Sequence, residues 1–344
     1  MREIKITKVQ AGQRLDRFLG KYLPEASGGF LHKMLRKKNI KLNEKKAEGN
    51  EKLVDGDRIQ IYFSEETLEK FTGNMQKKTE QKQQLTAKQK ALRKQVRLLF
   101  ASEDVLIFHK PAGMLTQKAE KKDDSLNDYL LDYCREKGYV DEQTLRSFRP
   151  SVANRLDRNT SGIVLCGITT AGLQALSALL KERKLEKYYL CLVRGKVGKN
   201  QKIRGYLKKN ENDNKVTLYQ KPVEDSVPIE TWYEPVKNTE QASLLKVRLV
   251  TGKSHQIRAH LASIGYPLFG DGKYGSRAFN EQLRKEEGVR YQMLHSYEIK
   301  VPENVSLPLK ELEGLHIVDP ISADFARVLQ NWNVLDGSVK VEGR

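Results

Sequence analysis

The chain opens with hydrophobic residues at helical spacing, followed by alternating polar and apolar positions. Four apolar residues at positions i, i+3, i+4 and i+7 share one face of a predicted helix: Leu15, Phe18, Leu19 and Tyr22. A second helix is predicted over residues 30–37, and strands over 40–42 and 59–63, with a turn at 54–57. These elements predict a small domain of helices and strands over residues 1–64.

The pattern breaks over residues 65–97. From Lys70 to Arg97 the chain has nine Lys or Arg residues, one Glu and several Gln, with little apolar periodicity. Such a segment buries too little apolar surface to order itself. The sequence therefore predicts a basic linker here, which either tethers two domains or lies along a phosphate backbone.

A larger domain is predicted over residues 98–330, with residues 331–344 as a C-terminal tail. Strands are expected at 105–108, 163–165, 188–193 and 244–249, and helices at 125–138 and 171–184. Because strands and helices do not alternate regularly, a repeated β-α-β architecture is not favoured. The pattern indicates an α+β fold in which helices flank a mixed sheet.

The charge balance points to a class of partner. The chain has 62 Lys and Arg residues against 44 Asp and Glu residues, a formal net charge of +18. A balance this basic indicates a polyanionic partner, most often nucleic acid. A generally basic proteome gives the same balance, so net charge alone does not separate these alternatives.

The cysteines and histidines predict neither a disulfide framework nor a metal site. Cys134, Cys166 and Cys191 are scattered without a C-x-x-C pair, which fits a reducing, intracellular setting. His255 and His260 lie five residues apart with no carboxylate between them, unlike a helical H-E-x-x-H pair. No apolar run follows the first residues, so neither a signal peptide nor a membrane association is expected.

A short polar segment, residues 154–162, carries the strongest candidate chemistry. Asp157 lies between Arg155 and Arg158, directly before the predicted strand at 163–165. A charge beside a buried element is costly unless it is paired, and a guanidinium partner would keep the carboxylate ionised. An ionised, desolvated carboxylate can act as a nucleophile or a base. An ordinary surface ion pair is the alternative.

Phosphate-binding motifs are incomplete. Gly252-Lys253-Ser254 looks like the end of a phosphate loop, but the motif needs a glycine five residues earlier, where Val247 stands. No G-x-G-x-x-G follows a strand, and no G-x-S-x-G is present. The sequence therefore predicts no nucleotide cofactor and disfavours a nucleotide-dependent RNA enzyme such as a helicase.

Three ordered segments, 154–162, 186–195 and 251–271, together resemble the signature motifs of the RluA-type (RluC and RluD) pseudouridine synthases of ribosomal RNA. The resemblance runs from about residue 98 to residue 320. Residues 14–63 resemble the small RNA-binding domain first described in ribosomal protein four of the small subunit. The resemblance implies a mainly antiparallel sheet and an isomerase that converts uridines of large-subunit ribosomal RNA, or of transfer RNA, to pseudouridine. It further implies a cytoplasmic monomer that needs neither cofactor nor metal.

The resemblance also assigns roles to residues. Asp157 would open the reaction by attack on the base, attack on the sugar or proton removal from the sugar, and Arg258 would pair with it. Tyr189 would stack on the target base and could take part in proton transfer. Lys187, the lysine of the same K-x-Y motif, would contact the RNA. Arg155 would help to fill the gap left by the extruded nucleotide. Without the resemblance, Tyr189 fits a core aromatic and Arg258 a surface strand residue.

The predicted second helix has a basic face. Four cations on or directly after this helix are candidate contacts to the RNA backbone: Lys33, Arg36, Lys37 and Lys38. A solvated helix face is the alternative. Ser27-Gly28-Gly29 stands where the related domains commonly have an Arg after Ser, so one phosphate contact is expected to be missing.

Two further positions depart from the resembled motifs. Asn154 replaces a His before Arg155, at a position expected to be structural, and Lys253 replaces an Arg, which keeps the charge but loses the two-pronged hydrogen-bonding geometry.

A non-catalytic RNA-binding or ribosome-assembly factor on the same scaffold is the rival hypothesis. The trio Asp157, Tyr189 and Arg258 favours the enzyme, because a protein that only binds RNA does not require it.

Overall fold

The first part of the chain forms a small antiparallel sheet covered by helices. The computed structural model describes residues 1–73, 84–210 and 215–343. The elements of this part are β1 (Arg2–Lys5), α1 (Leu15–Tyr22), α2 (Gly28–Arg36), β2 (Ile40–Leu42), β3 (Lys45–Lys46), β4 (Arg58–Ile61) and α3 (Glu65–Thr72). The strand order is β1-β4-β2-β3. The four apolar residues predicted to share one face of the first helix are all buried in α1, so that prediction is confirmed.

The range expected to be a linker contains two helices. In α3, Leu68 is buried and the ring of Phe71 lies 4.6 Å from that of Phe30, between centroids. The second helix is α4 (Ala87–Arg93), and Arg93 bonds Asp124 and Asp132 of the larger unit at 2.6 Å. The expectation that this range cannot order itself is therefore wrong for its described parts, because a few apolar and ion-pairing residues anchor them. Residues 74–83 of the expected linker lie outside the described residues.

A second, larger sheet organises the rest of the chain. Its strands are β5 (Arg97–Ala101), β6 (Val105–Lys110), β7 (Ser151–Val152), β8 (Ser161–Gly167), β9 (Glu186–Arg194), β10 (Gln201–Lys209), β11 (Val216–Tyr219), β12 (Val227–Asn238), β13 (Ala242–Leu249), β14 (Leu294–Lys300) and β15 (His316–Val318). The main order is β11-β10-β12-β13-β9-β14-β8-β6-β5, with β15 on β14 and β7 on β8. Among the described strand pairs of this sheet only β14 and β8 run parallel, which confirms the predicted mainly antiparallel α+β fold.

Both faces of the large sheet carry a hydrophobic core. The helices are α5 (Leu126–Glu136), α6 (Glu142–Leu145), α7 (Thr170–Lys181), α8 (Gln256–Ser263), α9 (Arg277–Glu286) and α10 (Ala323–Asn331). Successive residues of a strand point to opposite faces. On β9, Tyr189 therefore belongs to the core that also holds residues of α5 and α8, whereas Leu190 belongs to the core of α10.

The C-terminal segment packs on the core of α10. Val334 and Val339 are buried there, and Val341 pairs with Ile321 in an isolated β-bridge. The predicted tail is thus integrated into the large unit in its described part. No helix in the described ranges combines the length and apolar character needed to cross a bilayer.

The small unit docks on the large one through the loop after β1. Gln10 donates a 2.7 Å hydrogen bond from its amide to the hydroxyl of Ser147, and both side chains are buried. The carbonyl of Val9 accepts from the backbone N–H of Thr170 at 2.9 Å. These contacts fix the loop against the start of α7, so the small unit is not held by its chain connection alone.

Candidate active site

The Asp157 loop joins β7 to β8 and is held by a neighbouring loop, residues 111–116. The backbone N–H of Gly113 donates to the carbonyl of Arg158 at 2.8 Å. The hydroxyl of Thr116 donates to the carbonyl of Leu156 at 2.9 Å and accepts from the N–H of the same residue at 3.1 Å. Bonds on both sides of Asp157 leave its backbone little freedom.

Asn154 ties the start of this loop to β8. Its side-chain carbonyl accepts from the N–H of Leu165 at 2.7 Å, and its amide donates to the carbonyl of Ile163 at 3.4 Å. These bonds pair buried backbone groups of β8 that lie between the residues paired with β14 and those paired with β7. The contacts agree with the expectation that this position is structural.

A glycine allows the loop to approach the centre of the sheet. Gly162 has φ +117°, and a Cβ added there would lie 2.3 Å from the carbonyl oxygen of Ser296 on β14. No larger residue fits without moving one of the two strands. Ser296 is paired in register with Tyr189 on β9, so the close approach brings the Asp157 loop beside that tyrosine.

Arg258 links two carboxylates. Its Nη1 donates to Asp157 at 2.9 Å, while Nε and Nη2 donate to the two oxygens of Asp271 at 2.7 and 2.8 Å. The side chain projects from α8 and is buried, as is that of Asp271. The expected contact between Arg258 and Asp157 is thus present in the structure. The alternative, a surface strand residue, is wrong because Arg258 lies in a helix and is buried.

The electrostatics of Arg258 and Asp271 favour the charged form of each side chain. Burial opposes the charge on Arg258, but the two carboxylates raise the pKa of its guanidinium above the usual range. Burial likewise opposes the charge on Asp271, but Arg258 and two backbone N–H groups hold the pKa of that carboxyl below its usual value. Asp271 therefore serves as a fixed anchor that orients Arg258, and Arg258 in turn orients Asp157.

Tyr189 lies deep beside the loop. It is 5% exposed and is paired in register with Ser296 on β14. Burial raises the pKa of Tyr189 to about 12, and the charge of Asp157 acts in the same direction. The phenol is therefore protonated at neutral pH, where it can donate a hydrogen bond but is a poor proton acceptor.

Lys110, to which the sequence motifs assigned no role, lies beneath the loop. Its fully buried Nζ donates to the carbonyls of Pro111, Met114 and Arg158 at 2.9, 2.8 and 3.1 Å. Three carbonyls match the three hydrogens of an ammonium group. Burial nevertheless lowers the pKa of Lys110 to about 7, although the charge of Asp157 acts to raise it. In the sequence, the feature that could have pointed to Lys110 is a lysine at the end of a mostly apolar strand, directly before Pro-Ala-Gly.

His255 was also left without a role. It is the residue before α8, in the left-handed backbone region at φ 55°, and its Nε2 lies 3.9 Å from Oδ2 of Asp157. Its Nδ1 lies 3.0 Å from the hydroxyl of Tyr274. A non-glycine residue in this region is uncommon and often marks a functional position.

The other predicted residues are distributed over two places. Arg155 is exposed on the Asp157 loop. Lys187 is half-buried on β9 with its Nζ beside Gly252, and burial lowers the pKa of this lysine. The four basic residues of the small unit are exposed on α2 and just after it, away from the Asp157 loop: Lys33, Arg36, Lys37 and Lys38. In the described ranges, no group of three His, Cys, Asp or Glu side chains is arranged to hold a metal ion.

Comparison with known proteins shows which family this chain resembles over most of its length. Residues 104–263 match the family model described as RNA pseudouridylate synthase. An uncharacterized RNA pseudouridine synthase of Mycoplasma genitalium is 31% identical over 303 residues, which cover 87% of this chain and 88% of that protein. Ribosomal large subunit pseudouridine synthase C of Escherichia coli is 28% identical over 312 residues, covering 86% and 87% of the two chains.

A solved structure shares the fold. Human RNA Pseudouridylate Synthase Domain Containing 4 superposes with a TM-score of 0.56 at 18% identity, over 72% of this chain and 96% of that one. The large sheet is therefore the fold of a known class of RNA-modifying proteins. The chain belongs to the RNA pseudouridine synthase family and is an isomerase that acts on RNA.

Proposed function

We propose that Asp157 is the catalytic carboxylate of this synthase. The observation that carries the proposal is the chain of contacts from Asp271 through Arg258 to Asp157, at 2.7 to 2.9 Å. It holds the Asp157 carboxylate at a fixed place while leaving 24% of its side chain exposed to a substrate. The reaction breaks the bond from the sugar to a ring nitrogen, turns the uracil and forms a bond to a ring carbon. The carbon loses its proton and the nitrogen gains one, so no oxidant or reductant is needed.

Access to the target atom requires extrusion of the nucleotide, since the base is shielded inside a helix. Tyr189 is proposed as the flat surface on which the extruded base rests. Arg155, exposed on the same loop, is proposed to occupy the gap left in the RNA. Lys187, with its charge partly desolvated, is proposed to contact RNA near the target.

We propose large-subunit ribosomal RNA as the substrate. The support is the length over which the chain matches synthases named for that RNA in Pasteurella multocida and Escherichia coli, 95% and 86% of this chain. Transfer RNA is the alternative that the same chemistry allows. We further propose that the enzyme works as a monomer in the cytoplasm, where its RNA is found.

We propose a division of the chain into an RNA-binding domain over 1–64, a connecting segment over 65–97, a catalytic domain over 98–330 and a short C-terminal segment over 331–344. The separate hydrophobic cluster of the small unit, which also includes Leu68 and Phe71 of α3, supports a division into two domains. The exposed cations of α2 and the residues after it would contact phosphates, which adds affinity without sequence preference.

The test is tritium release from large-subunit ribosomal RNA labelled at carbon 5 of uracil. Asp157→Asn keeps the shape of the side chain but removes its charge, so we expect no tritium release. RNA affinity should stay within about three-fold of wild type, because phosphate contacts dominate affinity. Asp324→Asn, whose side chain is 94% exposed on α10, is the matched control and should release tritium at the wild-type rate. Full activity of Asp157→Asn would overturn the assignment.

A further inference from the structure

His255 faces the same opening as the proposed catalytic carboxylate. Its side chain is 14% exposed and that of Asp157 is 24% exposed. The 3.9 Å between Nε2 and Oδ2 exceeds hydrogen-bond length. The ring is therefore directed at the carboxylate without being bonded to it, which leaves Nε2 free for a third atom.

Tyr274 is the hydrogen-bond partner of the other ring nitrogen of His255, Nδ1. The hydroxyl oxygen of Tyr274 accepts a hydrogen bond from the backbone N–H of Val216 at 3.0 Å. The hydrogen of the same hydroxyl is then available to Nδ1 of His255, 3.0 Å away. With the Tyr274 hydroxyl as the donor to Nδ1, a neutral ring carries its proton on Nε2.

The surroundings favour the neutral ring. Burial lowers the pKa of His255, and the cations Arg258 and Lys273 act in the same direction, against the carboxylates Asp157 and Asp271. The Tyr274 ring stacks edge-on against His255 and also lies 5.4 Å from the guanidinium of Arg258. One tyrosine thus positions both groups that face Asp157.

We propose that the Nε2–H of neutral His255 donates a hydrogen bond to a carbonyl oxygen of the target uracil. The inference rests on the proposed role of Asp157. Whether the carboxylate attacks the base, attacks the sugar or removes a sugar proton, negative charge develops on the uracil carbonyls as the reaction starts. A fixed donor aimed at that charge stabilises the transition state more than the ground state.

Two substitutions separate the donor from the shape of the ring. His255→Asn tolerates the left-handed backbone and keeps an amide near the position of Nδ1, but it removes the donor at Nε2. His255→Gln extends an amide N–H to about the position of Nε2. Under single-turnover conditions on labelled large-subunit ribosomal RNA transcript, we expect His255→Asn to slow tritium release by about 100-fold and His255→Gln by about 10-fold or less. RNA affinity should stay within about two-fold in both, because phosphate contacts are unchanged.

A measurement on the free enzyme tests the tautomer directly. The chain has six histidines, so nitrogen-15 histidine labelling gives a small set of imidazole signals. The imidazole signals of wild type that are absent from His255→Asn belong to His255. In wild type these signals should show that the proton is on Nε2. Tyr274→Phe should shift them toward a mixture of tautomers, since the hydroxyl no longer fixes Nδ1 as an acceptor. A proton on Nδ1 in the wild type would overturn the proposal without any turnover.

Asp157→Asn, measured alongside, separates the two proposals. If Asp157→Asn still releases tritium, the assignment of the carboxylate fails. If Asp157→Asn is inactive while His255→Asn matches the wild-type rate, only the donor proposal fails. An equal and large loss in His255→Asn and His255→Gln would show that the shape of the ring matters, which also overturns the donor role.

Discussion

The Asp157 site and the basic face of α2 use charge in opposite ways. At the site, Arg258 is bonded to Asp157 and Asp271 at 2.7 to 2.9 Å and is buried with Asp271. On α2 and just after it, four cations are exposed, and none is within ion-pair distance of a carboxylate in the described part of the chain. Chemistry on one atom requires fixed positions, whereas attraction to a phosphate backbone requires only charge near the RNA. Substitutions should therefore change rate at the site and affinity on the helix face.

The largest effect is expected at Arg258. Arg258→Met leaves the buried carboxylate of Asp271 without its partner, which costs about 3–5 kcal/mol of unfolding free energy. Tritium release should fall to background because Asp157 is no longer oriented. Denaturant unfolding and tritium release measure the two losses. Adding Asp271→Asn removes the unpaired charge and should recover stability but not activity. Recovery of both would mean that Arg258 acts only as a structural ion-pair partner.

A backbone change should break the site by a different route. In Gly162→Ala the new methyl group meets the backbone of Ser296, so β8 and β14 must separate and the Asp157 loop must shift. We expect a loss of about 3 kcal/mol of unfolding free energy together with loss of activity. Gly138→Ala is the matched control, since Gly138 also has positive φ but has nothing within 4 Å of its added Cβ. That control should lose only about 1 kcal/mol. Equal losses in urea unfolding would show that the close approach is unimportant.

A different kind of effect, on the pH dependence of stability, is expected at Lys110. Burial lowers the pKa of this lysine from 10.5 to about 7. Between about pH 7 and 10.5 the unfolded chain therefore holds a proton that the folded chain has released, so stability rises with pH at up to about 1.4 kcal/mol per unit. Lys110→Met lacks this contribution, and its unfolding free energy should fall further behind wild type as pH rises from 7 to about 10. Lys181→Met, an exposed position on α7, should give a curve parallel to wild type.

Periodicity predicted the elements that have one clearly apolar face. The helix α1 and the strand at 105–108 were located correctly because their core residues recur at the expected spacing. The strands β10, β11 and β12 were not predicted. In β10, for example, lysines and an arginine occupy so many exposed positions that the inward Ile203 and Leu207 do not stand out. Their pairing depends on neighbours distant in the chain, which a local pattern does not contain.

The site was predicted in part for the same reason. Asp157, Tyr189 and Arg258 could be named because they lie in recognisable motifs. Asp271 was quoted with its motif but given no role, and the positions of Lys110 and His255 were not evident. Contacts at the site join residues that are distant in the chain, such as Arg258 with Asp271, 13 residues away, and with Asp157, 101 residues away. A sequence shows which residues are present but not which of them meet.

The smallest effect sharpens the comparison from the side of the helix face. Gly28 is the first residue of α2, and nothing lies within 4 Å of a Cβ added there, so Gly28→Arg can extend the basic face without displacing a neighbour. We expect a few-fold tighter binding to RNA at low salt and a steeper salt dependence, by roughly 0.7–0.9 in the slope of log K against log salt for one added phosphate contact. Gly28→Gln is a control for side-chain bulk without charge. Filter binding over a range of salt concentrations measures both, and tritium release per bound RNA should be unchanged. An unchanged slope in Gly28→Arg would mean that this end of α2 does not face the RNA. The RNA-binding surface of the small unit would then lie elsewhere than on the basic face of α2.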